Sequence, residues 1–116
     1  MSEIEVGNAN AKGEGKRGWF MGHFVGGLIS KNNDVEVKFS HHEAGDNSGD
    51  QLKRTDSHTL TMLVAGRFAC EVGGIEFILE KEGDYVGWGL GVEHSWRALE
   101  PSTMLTVRWP SIPEQS

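Results

Sequence analysis

Five histidines, His23, His41, His42, His58 and His94, are the residues of this chain best suited to chemistry. A neutral imidazole offers a lone pair to a divalent metal, and near neutral pH the same ring takes up or releases a proton. Their placement decides which of them can cooperate. His41 and His42 are neighbours at the end of the alternating run that starts at Val35, so on a strand they point to opposite faces and only one can look into a shared cavity. If Val35, Val37 and Phe39 face the core, His41 continues their side. His94 stands just past the stretch Gly83-Asp84-Tyr85-Val86-Gly87-Trp88-Gly89-Leu90-Gly91. A strand opening on a histidine after such a turn fixes the ring by sheet geometry and leaves the mouth of the fold open to a small molecule. His23, between Gly22 and Phe24, reads as structural.

Alternation extends the candidate site beyond the imidazoles. Trp96 and Ala98 share the face of His94, and Thr59, Thr61 and Leu63 share the facing side of an earlier strand. One imidazole, one indole, two hydroxyls and apolar walls suit a small polar molecule with one flat or apolar surface, such as a sugar or an aromatic acid. Lys53 and Arg54 lie in the loop from Gly45 to Ser57 and would attract an anionic ligand; alongside Asp46, Asp50 and Asp56, a solvated ion-pair loop is the competing reading. Asp84, in the turn after Gly83, is suited to capping that turn. The single cysteine, Cys70, sits in an alternating apolar segment as a small hydrophobe rather than a nucleophile. No Ser-His-Asp order, phosphate-binding glycine loop or Cys-x-x-Cys pair is present in the sequence.

The elements that must position these groups read as strands. Period-two alternation marks Val35–His41, Thr59–Ala65, Phe68–Val72, Ile75–Leu79, Tyr85–Trp88, His94–Leu99 and Thr103–Trp109. The chain holds 16 glycines, about twice the average share, and those of the second half fall between the runs. Val72-Gly73-Gly74-Ile75 predicts a two-residue hairpin, because two glycines accept the positive φ angles it needs. Pro110 and Pro113 end the last strand. Residues 1–18 hold little apolar material and predict a flexible N-terminal tail; residues 19–113 predict one all-β domain, a sandwich or barrel.

Composition removes several function classes. With 116 residues, 17 acidic against 11 basic side chains and a net charge of -6, the chain predicts a single domain that repels phosphate backbones and anionic lipid, so no nucleic acid and no membrane partner is expected. No apolar run approaches the ~20 residues of a membrane span, and no secretory signal pattern opens the chain. A cytoplasmic protein is the expectation.

The order strand, long loop, Leu63-Val64-Ala65-Gly66-Arg67-Phe68, hairpin, then Gly83-Asp84 leading to His94 resembles the antiparallel jelly-roll β-barrel of the cupin superfamily from about Trp19 to Pro110. Gly83, Gly91 and His94 fit the second motif of that family in register, with Gly89 in place of its proline and Ala98 in place of its asparagine. The first motif fits less well: Thr59 stands at its glutamate, and Gln51 and Lys53 at two of its histidines. The resemblance thus implies a degenerate metal site, with His58 and His94 both at the barrel mouth, and, on the pattern of the family's sugar epimerases, Asp84 or Tyr85 as an acid–base partner of His94. It implies a small-molecule ligand held by His94, Trp96, His58, Thr59, Thr61 and Lys53. The alternative is a metal-dependent isomerase or oxygenase in which His94, His58 and His41 (or His42) hold a divalent transition metal such as zinc, iron, manganese or nickel. A homodimer is also implied, with the segment Trp19–Val25 as the expected edge contact.

Overall fold

In a computed structural model, residues 3–49, 53 and 55–112 are described. Asp50, Gln51, Arg54 and Pro113, named above, lie outside them. The strands are β1 (Trp19–Met21), β2 (Glu36–His42), β3 (His58–Ala65), β4 (Phe68–Val72), β5 (Ile75–Leu79), β6 (Tyr85–Trp88), β7 (His94–Ala98) and β8 (Ser102–Trp109). They form an antiparallel five-stranded sheet ordered β1-β2-β8-β3-β6 and a three-stranded sheet ordered β5-β4-β7. Two sheets face each other as a jelly-roll barrel.

The inward faces follow strand alternation. Leu63, Phe68, Cys70, Val72, Leu79, Ala98 and Met104 form the buried core, with Val86, Trp88, Val92 and Trp96 packed against it. Register then carries the same faces out of the core and into polar ground. Leu63 pairs with Met104, Thr61 with Thr106 and Thr59 with Arg108 along β3 and β8. Apolar packing holds one end of the barrel, and hydroxyls and charge line the other.

The turns do what their glycines allow. Gly73 and Gly74 take φ of 60° and 83° in the β4–β5 hairpin, the primed geometry that matches strand twist. Gly66, between β3 and β4, has φ of 101°, and a Cβ there would lie 2.3 Å from the Pro101 carbonyl oxygen. Gly66→Ala is therefore expected to destabilise the protein by at least ~2 kcal/mol, combining a left-handed backbone with a backbone clash; the urea midpoint measures it.

The long loop is less free than its composition suggests. Lys53 and His94 exchange backbone hydrogen bonds at 2.8 and 2.9 Å, Ser48 N donates to the Trp96 carbonyl at 3.0 Å, and Gly45 N donates to the Ala98 carbonyl at 2.9 Å. These bonds cover the free edge of β7, which would otherwise be open to pairing.

Residues before Trp19 carry a one-turn helix, α1 (Ala9–Lys12), capped by Asn8. Polar anchors rather than apolar ones fasten this segment, which is why hydropathy gives no sign of them. The Glu5 carboxylate accepts from the amides of Ile29 at 2.8 Å and Ser30 at 2.9 Å, and Lys12 Nζ donates to the Gly26 carbonyl at 2.6 Å. Strand β1 is an edge of the larger sheet. No helix among the described residues is long and apolar enough to cross a membrane.

Candidate functional site

A solvent-open cavity of about 1160 Å³ lies between the sheets, walled by β2, β3, β7 and β8, the loop bearing Asn47, Ser48, Lys53 and Thr55, and the segment Gly13–Gly18. Of the residues selected from the sequence, His94, Trp96, Thr59, Thr61, Lys53, His41 and His42 line it. Of the three expected metal ligands, His58 lies outside it and His41 stands only at its rim.

His58 faces outward. It is exposed and stacks on Trp109 with ring centroids 5.7 Å apart, because Thr59, Thr61 and Leu63 are the buried side of β3 and His58 alternates with them. His41 is likewise on the outer face of β2, at the cavity rim, with Nδ1 3.0 Å from Thr103 Oγ1 and Nε2 2.8 Å from Asn10 Oδ1. The inward member of the pair is His42, whose ring lies 4.6 Å from Trp96 and 5.5 Å from Phe68. The expected phase of β2 is thus reversed: Glu36, Lys38, Ser40 and His42 face the interior, and Val37 and Phe39 face out. A barrel that encloses a ligand space can carry polar residues inside. The apolar members of this strand marked the wrong face.

His94 sits beside Trp88, ring centroids 4.6 Å apart, with Nδ1 3.1 Å from the Val92 carbonyl. A carbonyl only accepts, so Nδ1 carries the hydrogen and Nε2 keeps its lone pair. Burial, followed by the positive charges of Arg108 and Lys53, holds this ring below its ordinary range, against the opposing effect of the Val92 bond. Burial and Lys38 do the same to His42, whose Nε2 is 2.9 Å from Ser40 Oγ. Both rings are neutral at pH 7. The unfolded chain binds these protons first, so stability is full above the unfolded value of about 6.5 and falls as pH drops below it. Urea denaturation at pH 7.5 and 5.5 should show that loss, and a His42→Gln, His94→Gln double variant should lose less.

The donor set does not fit a metal. His94 and His42 are the only two of the proposed imidazoles directed inward, and His42 is engaged by Ser40. Among the described residues no group of three or more His, Cys, Asp or Glu side chains is placed to share an ion. Asp84 caps the turn before β6 by accepting from the amides of Glu80 and Lys81 at 3.1 and 2.9 Å, and Tyr85 is exposed, so neither serves His94 as acid or base.

What the cavity does hold is positive charge. Arg17, Lys38, Lys53 and Arg108 line it, against Glu14 as the one lining carboxylate among the described residues. Arg108 is bound to the fully buried Glu36 by contacts of 2.6 and 2.7 Å, and Ser111 Oγ adds a bond of 2.9 Å to the same carboxylate. The Arg108 guanidinium also lies 4.5 Å from the Trp19 ring centroid, and Lys38 Nζ lies 5.6 Å from it. Lys38 has no carboxylate partner among the described residues. Burial first, then Arg17 and Arg108, push its ammonium down to about 8. Thr59 Oγ1 and Trp88 Nε1 are buried with no hydrogen-bond partner among the described residues, on residues that face each other across β3 and β6. Lys38 and Arg108 escaped the sequence reading, although the alternation Glu36-Lys38-Ser40-His42 was a visible sign of a polar lumen.

No protein-family model matches this chain, and no curated protein matches it in sequence. Solved structures do match in shape. An RmlC-like cupin from Shewanella frigidimarina is 14% identical, with a TM-score of 0.67 over 78% of this chain and 78% of that one. KdgF from Halomonas sp. is 19% identical, with a TM-score of 0.66 over 76% of this chain and 79% of that one. A variant of salicylate 1,2-dioxygenase from Pseudoaminobacter salicylatoxidans is 17% identical, with a TM-score of 0.64 over 79% of this chain but 25% of the enzyme. Identities this low speak for shape and leave the chemistry to the side chains described above. The two antiparallel sheets, their strand order and these neighbours together establish that the chain has the cupin fold.

Proposed function

We propose that this barrel binds a small polar molecule bearing a carboxylate, with the acid group on the wall formed by Lys38, Arg17 and Arg108. The observation that carries the reading is Lys38, a partly buried ammonium with cations as its charged neighbours and no carboxylate partner among the described residues. A buried charge is costly unless paired, and a ligand carboxylate is the missing partner. Hydroxyls on the remainder of the ligand would meet Thr59, Thr61, Thr106 and the free Nε2 of His94, and an apolar face would lie on Trp96. The positive cavity in a chain of net charge -6 also steers anions to this one place.

Thermal denaturation with acetate, benzoate and gluconate, each beside its amide, tests the reading. A ligand of the native state stabilises it by about 2.7 kcal/mol at a hundredfold excess over Kd. At least one acid should raise Tm while its amide does not, and the rise should vanish in Lys38→Met. Equal shifts with acids and amides, or none with any, would overturn the assignment.

A further inference from the structure

The wall that takes the carboxylate combines two guanidinium groups, those of Arg17 and Arg108, with an amine, that of Lys38. Lys38 Nζ faces the lumen from the middle of β2, opposite Thr106 of β8. We propose that Lys38 condenses with the carbonyl carbon of a small oxo acid to form a protonated imine, the acid's carboxylate being held by Arg17 and Arg108. This rests on the carboxylate-binding reading above.

Geometry brings the groups together. In a 2-oxo acid such as pyruvate the carboxylate is bonded directly to the carbonyl carbon, so an acid seated on the guanidinium side presents its carbonyl carbon to the neighbouring amine. Arg108 is fixed by Glu36 and by the Trp19 ring. Arg17 is the one non-glycine residue among those described with φ in the left-handed region, at 56°, a conformation that costs about 1–3 kcal/mol and recurs at functional positions. It is flanked by the turn Gly13–Gly18, in which Gly18 N donates to the Gly13 carbonyl at 3.1 Å. The strained turn brings a cation into the same cavity as the amine.

Burial first, and the same cations after it, favour the neutral amine. An ordinary lysine at pH 7.5 is neutral in about one molecule per thousand, whereas one titrating near 8 is neutral in about a quarter of molecules. The neutral nitrogen adds to the carbonyl carbon and the oxygen leaves as water. Ammonium plus carbonyl gives protonated imine plus water, so neither an oxidant nor a reductant is needed and no net proton is consumed. The iminium then withdraws electrons from the adjacent carbon, the chemistry on which proton exchange and carbon–carbon cleavage at C3 of a 2-oxo acid depend.

Borohydride trapping tests this on the full chain. The protein is incubated with pyruvate and sodium cyanoborohydride, and the products are read by intact mass and peptide mapping. A single addition of the mass of pyruvate less one oxygen, located on Lys38 and forming at least tenfold faster than on any other lysine, is expected. Lys38→Arg, which keeps the charge, should lose it, and its melting curve shows whether it is folded. Label spread evenly over lysines, or none on Lys38, would overturn the imine. If Lys38 is unlabelled while acetate still raises Tm, the imine fails and the carboxylate site stands; if neither occurs, both fail.

Discussion

Glu36→Ala should destabilise the protein by about 3–5 kcal/mol, the cost of removing one partner of a buried, hydrogen-bonded ion pair. Glu36 is fully buried and carries Arg108 on one oxygen and Ser111 on the other, with His23 Nδ1 at 3.6 Å. Four segments meet on this one carboxylate: β2, β8, the residues after β8 and the loop after β1. Alanine would leave the guanidinium without its acceptor and Ser111 without its carboxylate, so two polar groups lose partners together. Arg108→Ala should be similarly severe, and the two losses should fall well short of additive because they report one pair. Urea denaturation of both single variants and the double variant measures this. A loss below ~1 kcal/mol in Glu36→Ala would mean that the pair is not what fixes Arg108 at the cavity.

Lys38→Met has the opposite sign. Burial and its cationic neighbours lower the ammonium from 10.5 to about 8, so folding keeps a charge where the surroundings disfavour it. Below about pH 8 both folded and unfolded chains carry the proton, and the full cost is present at neutral pH. Between about 8 and 10.5 the folded chain has released its proton and the unfolded chain has not, so the wild type recovers stability as pH rises. At about 1.4 kcal/mol per pH unit, and discounting for solvent at the open mouth, methionine should stabilise the protein by roughly 1–3 kcal/mol at pH 7. The gain should shrink towards pH 10. Such a gain paired with lost carboxylate binding is the behaviour of a functional residue kept at the expense of stability. Denaturation midpoints at pH 7 and pH 9.5 check both the sign and the trend.

Much of the barrel was legible in the chain because glycine and alternation act locally. Gly73-Gly74 fixed one hairpin, and Gly83, Gly91 and His94 fixed the approach to β7. The inward set Thr59, Thr61 and Leu63 on β3 follows from alternation plus one buried anchor. The phase of β2 was not legible in the same way. Val35, Val37 and Phe39 look like a core face only if the barrel interior is apolar throughout, and here the interior turns polar beyond Met104 and Phe68. That single reversal moved His41 out and His42, Lys38 and Glu36 in. His58 was misplaced for a related reason, since the cupin resemblance put it at the mouth while alternation with Thr59 turns it away. The anchoring of the segment around α1 was invisible because a carboxylate and an ammonium, not apolar side chains, hold it to the loop containing Gly26 and Ser30.

The most direct test of the carboxylate site is the titration of Lys38 itself, followed by carbon NMR of protein labelled at lysine Cε, with Lys38→Arg identifying the resonance. One lysine should titrate near pH 8 in the free protein, and saturating acetate or gluconate should raise that value by a unit or more, because a paired ammonium holds its proton more tightly. A Lys38 resonance that titrates at the ordinary lysine value of about 10.4, or one that stays near 8 in the presence of every acid, would contradict the assignment of this cavity as a carboxylate site.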